Sequence, residues 1–220
     1  EVVANPTLKV AELPVLAEIA HAHGAKLVVD NTFTPCLVTP TRFGADVVVH
    51  SLTKFINGAS DAIAGVICGS LAFVQSLMDL HTGRVMLLGP TMDPRVAFDI
   101  YQRIPHLPLR MREHCHRAQR VAEALVAMGA PVCYPGLSTH RGHGRLAAML
   151  NEGYGFGGLL NIDCGTRERA EALMARLQNE HQFGFIAVSL GYYDTLMSCS
   201  SSSTSSEVPP EDQARVGLSP

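Results

Sequence analysis

Two short apolar runs, residues 26–30 (Lys26-Leu27-Val28-Val29-Asp30) and 46–50 (Asp46-Val47-Val48-Val49-His50), are β-branched at their centres and do not alternate with polar positions. Continuous runs of this length are the pattern of parallel strands buried on both faces. A third run, residues 62–69, reads as another strand; its glycines allow close packing or a bulge, and Cys68 is expected in the core. Residues 10–23 repeat apolar positions at Val10, Leu13, Leu16, Ala17 and Ala20, a helical spacing that stops at Gly24 and should cover one sheet face. Pro35 and Pro40 make residues 31–43 irregular. Residues 73–80 are helical by pattern, residues 83–90 form a loop exposing Met86, Leu87 and Leu88, and Pro94 opens a helix broken at Pro105 and Pro108.

The second half reads differently. Residues 109–128 form a long amphipathic helix ending at Gly129, and a domain boundary near Leu107 divides the chain into residues 1–107 and 108–220. Residues 131–134, 158–163 and 185–190 are strand-like. Residues 166–178 form a helix capped by Thr166, with Arg169 and Glu171 facing solvent. His140 and His143 fall in a glycine-rich loop, and no repeat links the halves. The fold class is α/β, part of a large domain with a mixed or parallel sheet, followed by a small α+β domain.

Both parallel strands end in polar residues, and ligands bind beyond the carboxyl ends of strands in open α/β sheets. Asp30 and the run Ser51-Leu52-Thr53-Lys54 therefore face one pocket, with Thr32 beside them. The Lys54 amine can form a Schiff base with an aldehyde, the Ser51 and Thr53 hydroxyls can bind a phosphate, and Asp30 can pair with a protonated ring nitrogen. Those are the handles of pyridoxal 5'-phosphate. Each residue also has a plainer use: an Asp ending a strand can cap a helix or bind a ribose, and Ser-x-Thr-Lys can be a solvated turn. A ribose site would come with a glycine fingerprint opening a helix, and the chain has none.

The chain has 220 residues, 47% of them hydrophobic, enough for a sizeable core. A formal charge of −3 without basic runs argues against nucleic acid as a partner. The six cysteines include no Cys-x-x-Cys pair, which suggests free thiols in a reducing compartment and no metal centre. His114 and His116 are two apart on a helix and so point to different faces. No run is apolar and long enough to span a bilayer, and no signal peptide opens the chain. The expectation is a cytoplasmic enzyme with no membrane partner. Glu1 at the start and a motif continuing at Pro220 suggest a fragment.

The runs Val29-Asp30-Asn31-Thr32-Phe33 and Gly44-Ala45-Asp46-Val47-Val48-Val49-His50-Ser51-Leu52-Thr53-Lys54-Phe55-Ile56-Asn57-Gly58 resemble the pyridoxal-phosphate enzymes of cysteine and methionine metabolism. Asn5-Pro6-Thr7-Leu8 and Val188-Ser189-Leu190-Gly191 fit the same family in the same order, so the resemblance spans nearly the whole chain. Residues 191–200 and 203–207 are most similar to its plant-type methionine gamma-lyase branch. The resemblance implies a fold-type-I enzyme that eliminates the γ-substituent of a sulfur amino acid, with Lys54 carrying the cofactor and Asn5 beside the ring. It further implies Asp30 at the ring nitrogen, Ser51 and Thr53 on the phosphate, and Ser189 and Leu190 near the substrate carboxylate. Thr204 lies in a serine-rich stretch that composition alone reads as a linker, but which relatives bring to the substrate. A homo-oligomer, a dimer of dimers, is implied too. A ring-stacking tyrosine and part of the phosphate cup belong upstream of Glu1 in relatives. The chain departs from many relatives at Ala59, where they carry histidine, and at Arg103-Ile104-Pro105, where they carry Arg-Gly-Leu. Cystathionine gamma-lyase, beta-lyase and gamma-synthase share the motif.

Overall fold

The computed structural model describes residues 1–200 and 209–216. Helix α1 (Leu13–Ala22) starts with a proline in its first turn and buries Leu13 and Ala17, ending before Gly24 in the left-handed region. It seats Ala17 against Gly44, where an added Cβ would stand 2.5 Å from the Ala17 Cβ. Strands β1 (Val28–Asp30) and β2 (Val47–Ser51) pair in parallel with Val28 opposite Val47 and Asp30 opposite Val49. Strand β3 (Gly65–Gly69) adds antiparallel to β2, giving the order β1-β2-β3. The residues between β1 and β2 are irregular apart from one tight turn, Pro40–Phe43.

Alternation along these strands gives the sheet two unlike faces. Val29 and Val48 are buried in the main core, whereas Val28 and Ile67, which the register puts on the other face, are exposed. Burial on both faces therefore holds for only part of the sheet, because no layer among the described residues covers Val28 and Ile67. Cys68 is exposed as well, contrary to its expected place in the core. It belongs to β3, the edge strand, where only one neighbour is available.

Helices α2 (Leu71–Leu77) and α3 (Arg84–Leu88) follow. The second replaces the expected loop: Gly89 in the left-handed region closes a single helical turn that leaves Met86, Leu87 and Leu88 exposed. Helix α4 (Pro94–Arg103) is capped by the Asp93 carboxylate and passes through a 3₁₀ turn, Ile104–His106, into α5 (Leu107–Ala127). Pro108 sits in the first turn of α5, where a missing N–H costs no intrahelical bond. Leu107, Met111, Cys115, Ala118 and Ala122 lie three or four apart and are buried. The first three join the core of Val2, Val29, Val48, Leu52 and Phe55, and the last two meet Tyr134 in a second cluster.

Strands β4 (Val132–Cys133) and β5 (Asn161–Ile162) pair antiparallel. Helix α6 (His143–Met149) occupies what reads as a glycine-rich loop and buries Leu146 and Met149. Helix α7 (Arg167–Asn179) has the expected Thr166 cap, its hydroxyl accepting from the Arg169 N–H. Glu171 is half-buried and takes an ion pair from Arg167. The expected strand over 185–190 is only β6 (Phe185–Ile186), parallel to β7 (Leu196–Met197), and α8 (Pro210–Val216) comes last.

Candidate active site

The ends of β1 and β2 are joined by side chains as well as backbone. The Asn31 N–H donates to the Val49 carbonyl at 2.9 Å, extending the ladder one step. One Asp30 carboxylate oxygen accepts from the Thr32 N–H at 2.8 Å, a local turn that short acidic side chains favour. The Thr32 hydroxyl in turn accepts from the Ser51 N–H at 2.8 Å. Asp30, Thr32 and Ser51 thus form one connected set, and the buried Thr32 is its bridge. Asn31, also buried, donates to the Val38 carbonyl and accepts from the Thr34 hydroxyl, so the turn beneath Asp30 is internally satisfied.

Beyond Ser51 the chain makes one wide helical turn, Leu52–Ile56, closed by the Asn57 N–H on the Leu52 carbonyl at 2.9 Å. Leu52, Phe55 and Ile56 are buried, which anchors the turn, while Lys54 leaves helical geometry at φ −90°, ψ −126°. The Lys54 amine donates to the Ser189 hydroxyl at 3.3 Å. The Thr53 hydroxyl accepts from the Ala64 N–H at 3.0 Å and donates to its carbonyl at 3.3 Å. The Ser51 hydroxyl makes no hydrogen bond among the described residues, so the two hydroxyls are in different situations.

Ser189 is brought to Lys54 by Gly191. At φ +80°, its added Cβ would lie 2.4 Å from the Phe55 nitrogen and 2.8 Å from the Lys54 carbonyl carbon, so only glycine permits this approach. Leu190 packs on the main core between them. Asn5 is more loosely connected: its backbone N–H bonds to the Glu1 carboxylate, and its segment reaches β1 through the Val2 N–H on the Asp30 carbonyl. No hydrogen bond links Asn5 to Asp30, Ser51 or Lys54 among the described residues. Thr204 lies outside the described residues.

Nearby groups set the electrostatics. Burial holds the His50 imidazole below its ordinary value, against the opposing pull of the Asp30 carboxylate and the Asn31 backbone. Its Nδ1 is buried without a partner among the described residues. Past Lys54, Arg103 grips both Asp61 oxygens, at 2.6 and 2.9 Å, and also bonds Asn57. That contact, then Asn57, lowers the Asp61 carboxyl to about 2. The sequence shows Arg103 only as part of Arg103-Ile104-Pro105 and gives it no partner, because Asn57 and Asp61 lie 46 and 42 positions away along the chain.

The model for Cys/Met metabolism PLP-dependent enzymes matches residues 1–220. The chain belongs to that family. Members of the family similar to it include the methionine gamma-lyase of Arabidopsis thaliana, 58% identical over all of this chain and 50% of the relative. The cystathionine gamma-lyase of Bacillus subtilis is 34% identical over 97% of this chain and 55% of the relative. Among solved structures, the cystathionine gamma synthase of Xanthomonas oryzae pv. oryzae in complex with cystathionine superposes with a TM-score of 0.87 at 33% identity, covering 98% of this chain and 54% of that one. The fold is accordingly that of the fold-type-I enzymes of this family, in agreement with the sequence reading. The chain spans about half the length of the relatives it matches.

Proposed function

We propose that the protein containing this chain is a pyridoxal 5'-phosphate-dependent carbon–sulfur lyase that performs γ-elimination on L-methionine, giving methanethiol, 2-oxobutanoate and ammonia. The observation carrying this reading is the Lys54 amine held 3.3 Å from the Ser189 hydroxyl, in a chain 58% identical to a methionine gamma-lyase.

The residues present fit the cofactor. Only one Asp30 carboxylate oxygen is engaged by the turn, the Ser51 hydroxyl is free to donate, and Gly191 keeps side-chain bulk away from the lysine. Bound here, the cofactor supplies an aldehyde for the lysine and a ring that draws electrons from the substrate Cα. Asp30 pairs with the ring nitrogen and keeps it protonated. Ser51, with Thr53 once its bond to Ala64 yields, holds the phosphate. Lys54 Nζ would carry protons at the substrate Cα and Cβ, and Ser189, whose hydroxyl accepts from that Nζ, would orient the lysine amine. Leu190 backs the segment approaching the substrate carboxylate. Thr32 bridges Asp30 to Ser51, and the family resemblance assigns Asn5 to the cofactor ring and Thr204 to the substrate.

We assign residues 1–107 to the cofactor-binding domain and 108–220 to the smaller one, in a cytoplasmic homotetramer. Purified full-length protein tests the activity. Methanethiol and 2-oxobutanoate from L-methionine support it; turnover of cystathionine without methionine turnover assigns the protein to another branch of the family.

A further inference from the structure

The turn that carries Lys54 is held by a second long-range contact. Arg110, on α5, donates from Nη1 to the Phe55 carbonyl at 2.6 Å and from Nη2 to the Ile56 carbonyl at 2.8 Å. Its Nε bonds to His106 Nδ1 at 3.2 Å, which fixes the fork from behind. No backbone N–H among the described residues bonds to either carbonyl, since Asn57 and Gly58 donate to Leu52 and Lys54. The guanidinium thus completes a turn that cannot complete itself. Gly58, at φ +72°, makes room: an added Cβ there would stand 2.3 Å from Arg110 Nη1.

The placement is costly in itself. Arg110 has no ion pair among the described residues, and burial, together with the Arg103 charge, pulls its guanidinium below the ordinary value despite the Cys36 thiol. A half-buried cation seated on two carbonyls offsets its lost hydration through the two hydrogen bonds it donates. What it holds are the two residues after Lys54, the first of which also meets Gly191.

We propose that Arg110 is a positioning residue for Lys54: by bridging the Phe55 and Ile56 carbonyls it fixes the turn and so sets the Lys54 amine against Ser189. This rests on the reading of Lys54 as the cofactor lysine.

The test uses the full-length enzyme and its Arg110→Met and Arg110→Lys variants. Amide hydrogen exchange of residues 52–58 is followed in the cofactor-free proteins, and borohydride trapping of pyridoxal 5'-phosphate on Lys54 is timed. Arg110→Met should speed exchange of residues 52–58 on the order of tenfold or more while α7 keeps wild-type exchange. It should also slow trapping and lower kcat more than it raises KM. Arg110→Lys keeps the charge without the planar fork, so it should fall between the two. Should Arg110→Met not fold, Arg110→Lys decides. Wild-type exchange of residues 52–58 together with wild-type trapping in the folded variants overturns the proposal. Failure of the wild-type enzyme to trap cofactor on Lys54 overturns the functional reading, and the exchange comparison still decides whether Arg110 holds the turn.

Discussion

The Lys54 amine meets the Ser189 hydroxyl at 3.3 Å although 135 positions separate them in the chain. Neither end of this contact is free to wander. Lys54 lies between buried Leu52 and the buried pair Phe55 and Ile56, and Ser189 stands two residues before a glycine pressed on the Lys54–Phe55 backbone. The geometry at the amine is therefore set by packing on both sides.

Gly191→Ala should break that arrangement. A methyl group at φ +80° is strained, and 2.4 Å from the Phe55 nitrogen it must displace backbone rather than a mobile side chain. We expect a loss of about 2–4 kcal/mol in denaturant unfolding together with impaired cofactor loading. Wild-type stability and loading would show that the segment is not pinned there.

Ser51→Ala and Thr53→Ala should separate. The free Ser51 hydroxyl is available to a phosphate, so its loss should weaken cofactor binding by about 1–3 kcal/mol with little effect on folding. Thr53→Ala removes two bonds to Ala64 as well as the proposed phosphate contact, so it should lower folding stability by about 1 kcal/mol in addition to weakening cofactor binding. Cofactor titration and urea unfolding of both variants check this; the reverse pattern would exchange their roles.

Asp30→Asn keeps the size of the side chain and its bond to the Thr32 N–H but cannot hold a ring nitrogen protonated. Turnover should fall by about a hundredfold or more, while thermal unfolding stays near wild type. Equal turnover in the two proteins would remove Asp30 from the proposed role.

How far the site was legible depended on whether its parts are local. Val28-Val29-Asp30 and Val47-Val48-Val49 announce strands through β-branching, and their polar ends mark the crevice, so Asp30 and Ser51 through Lys54 stand out. Thr32 is legible as a neighbour but not as a bridge, because its partner is the Ser51 N–H, 19 positions away. Arg103 and Arg110 bond 46 and 55 positions back, beyond any periodicity. Their one sequence signal is weak: Arg110 lies between Leu107 and Met111 on an otherwise apolar stripe. The short helices α3 and α6 escape for another reason, since a turn or two flanked by glycine resembles a loop. Ser189 and Leu190 were found by resemblance alone, and their physical logic, the Gly191 contact, is tertiary.

The α5 imidazole should make stability depend on pH. His114, edge-on to the Phe55 ring, is lowered from 6.5 to about 4 by burial first, then by Arg110 and Arg117. Between those values the unfolded chain binds a proton that the folded one refuses. Its contribution is therefore complete above about 6.5 and is lost as the pH falls toward 4, by about 3 kcal/mol in all. His114→Gln should flatten unfolding free energy over that window; an unchanged slope would assign the dependence elsewhere.

The central claim is that Lys54 carries the cofactor, and one measurement addresses it directly. Full-length protein loaded with pyridoxal 5'-phosphate is reduced with borohydride, digested and mapped by mass spectrometry. The pyridoxyl phosphate label should fall on the peptide containing Ser51 to Ile56, at Lys54, and be absent from Lys9 and Lys26. A stoichiometric label on any other lysine, with Lys54 unmodified, would contradict the account.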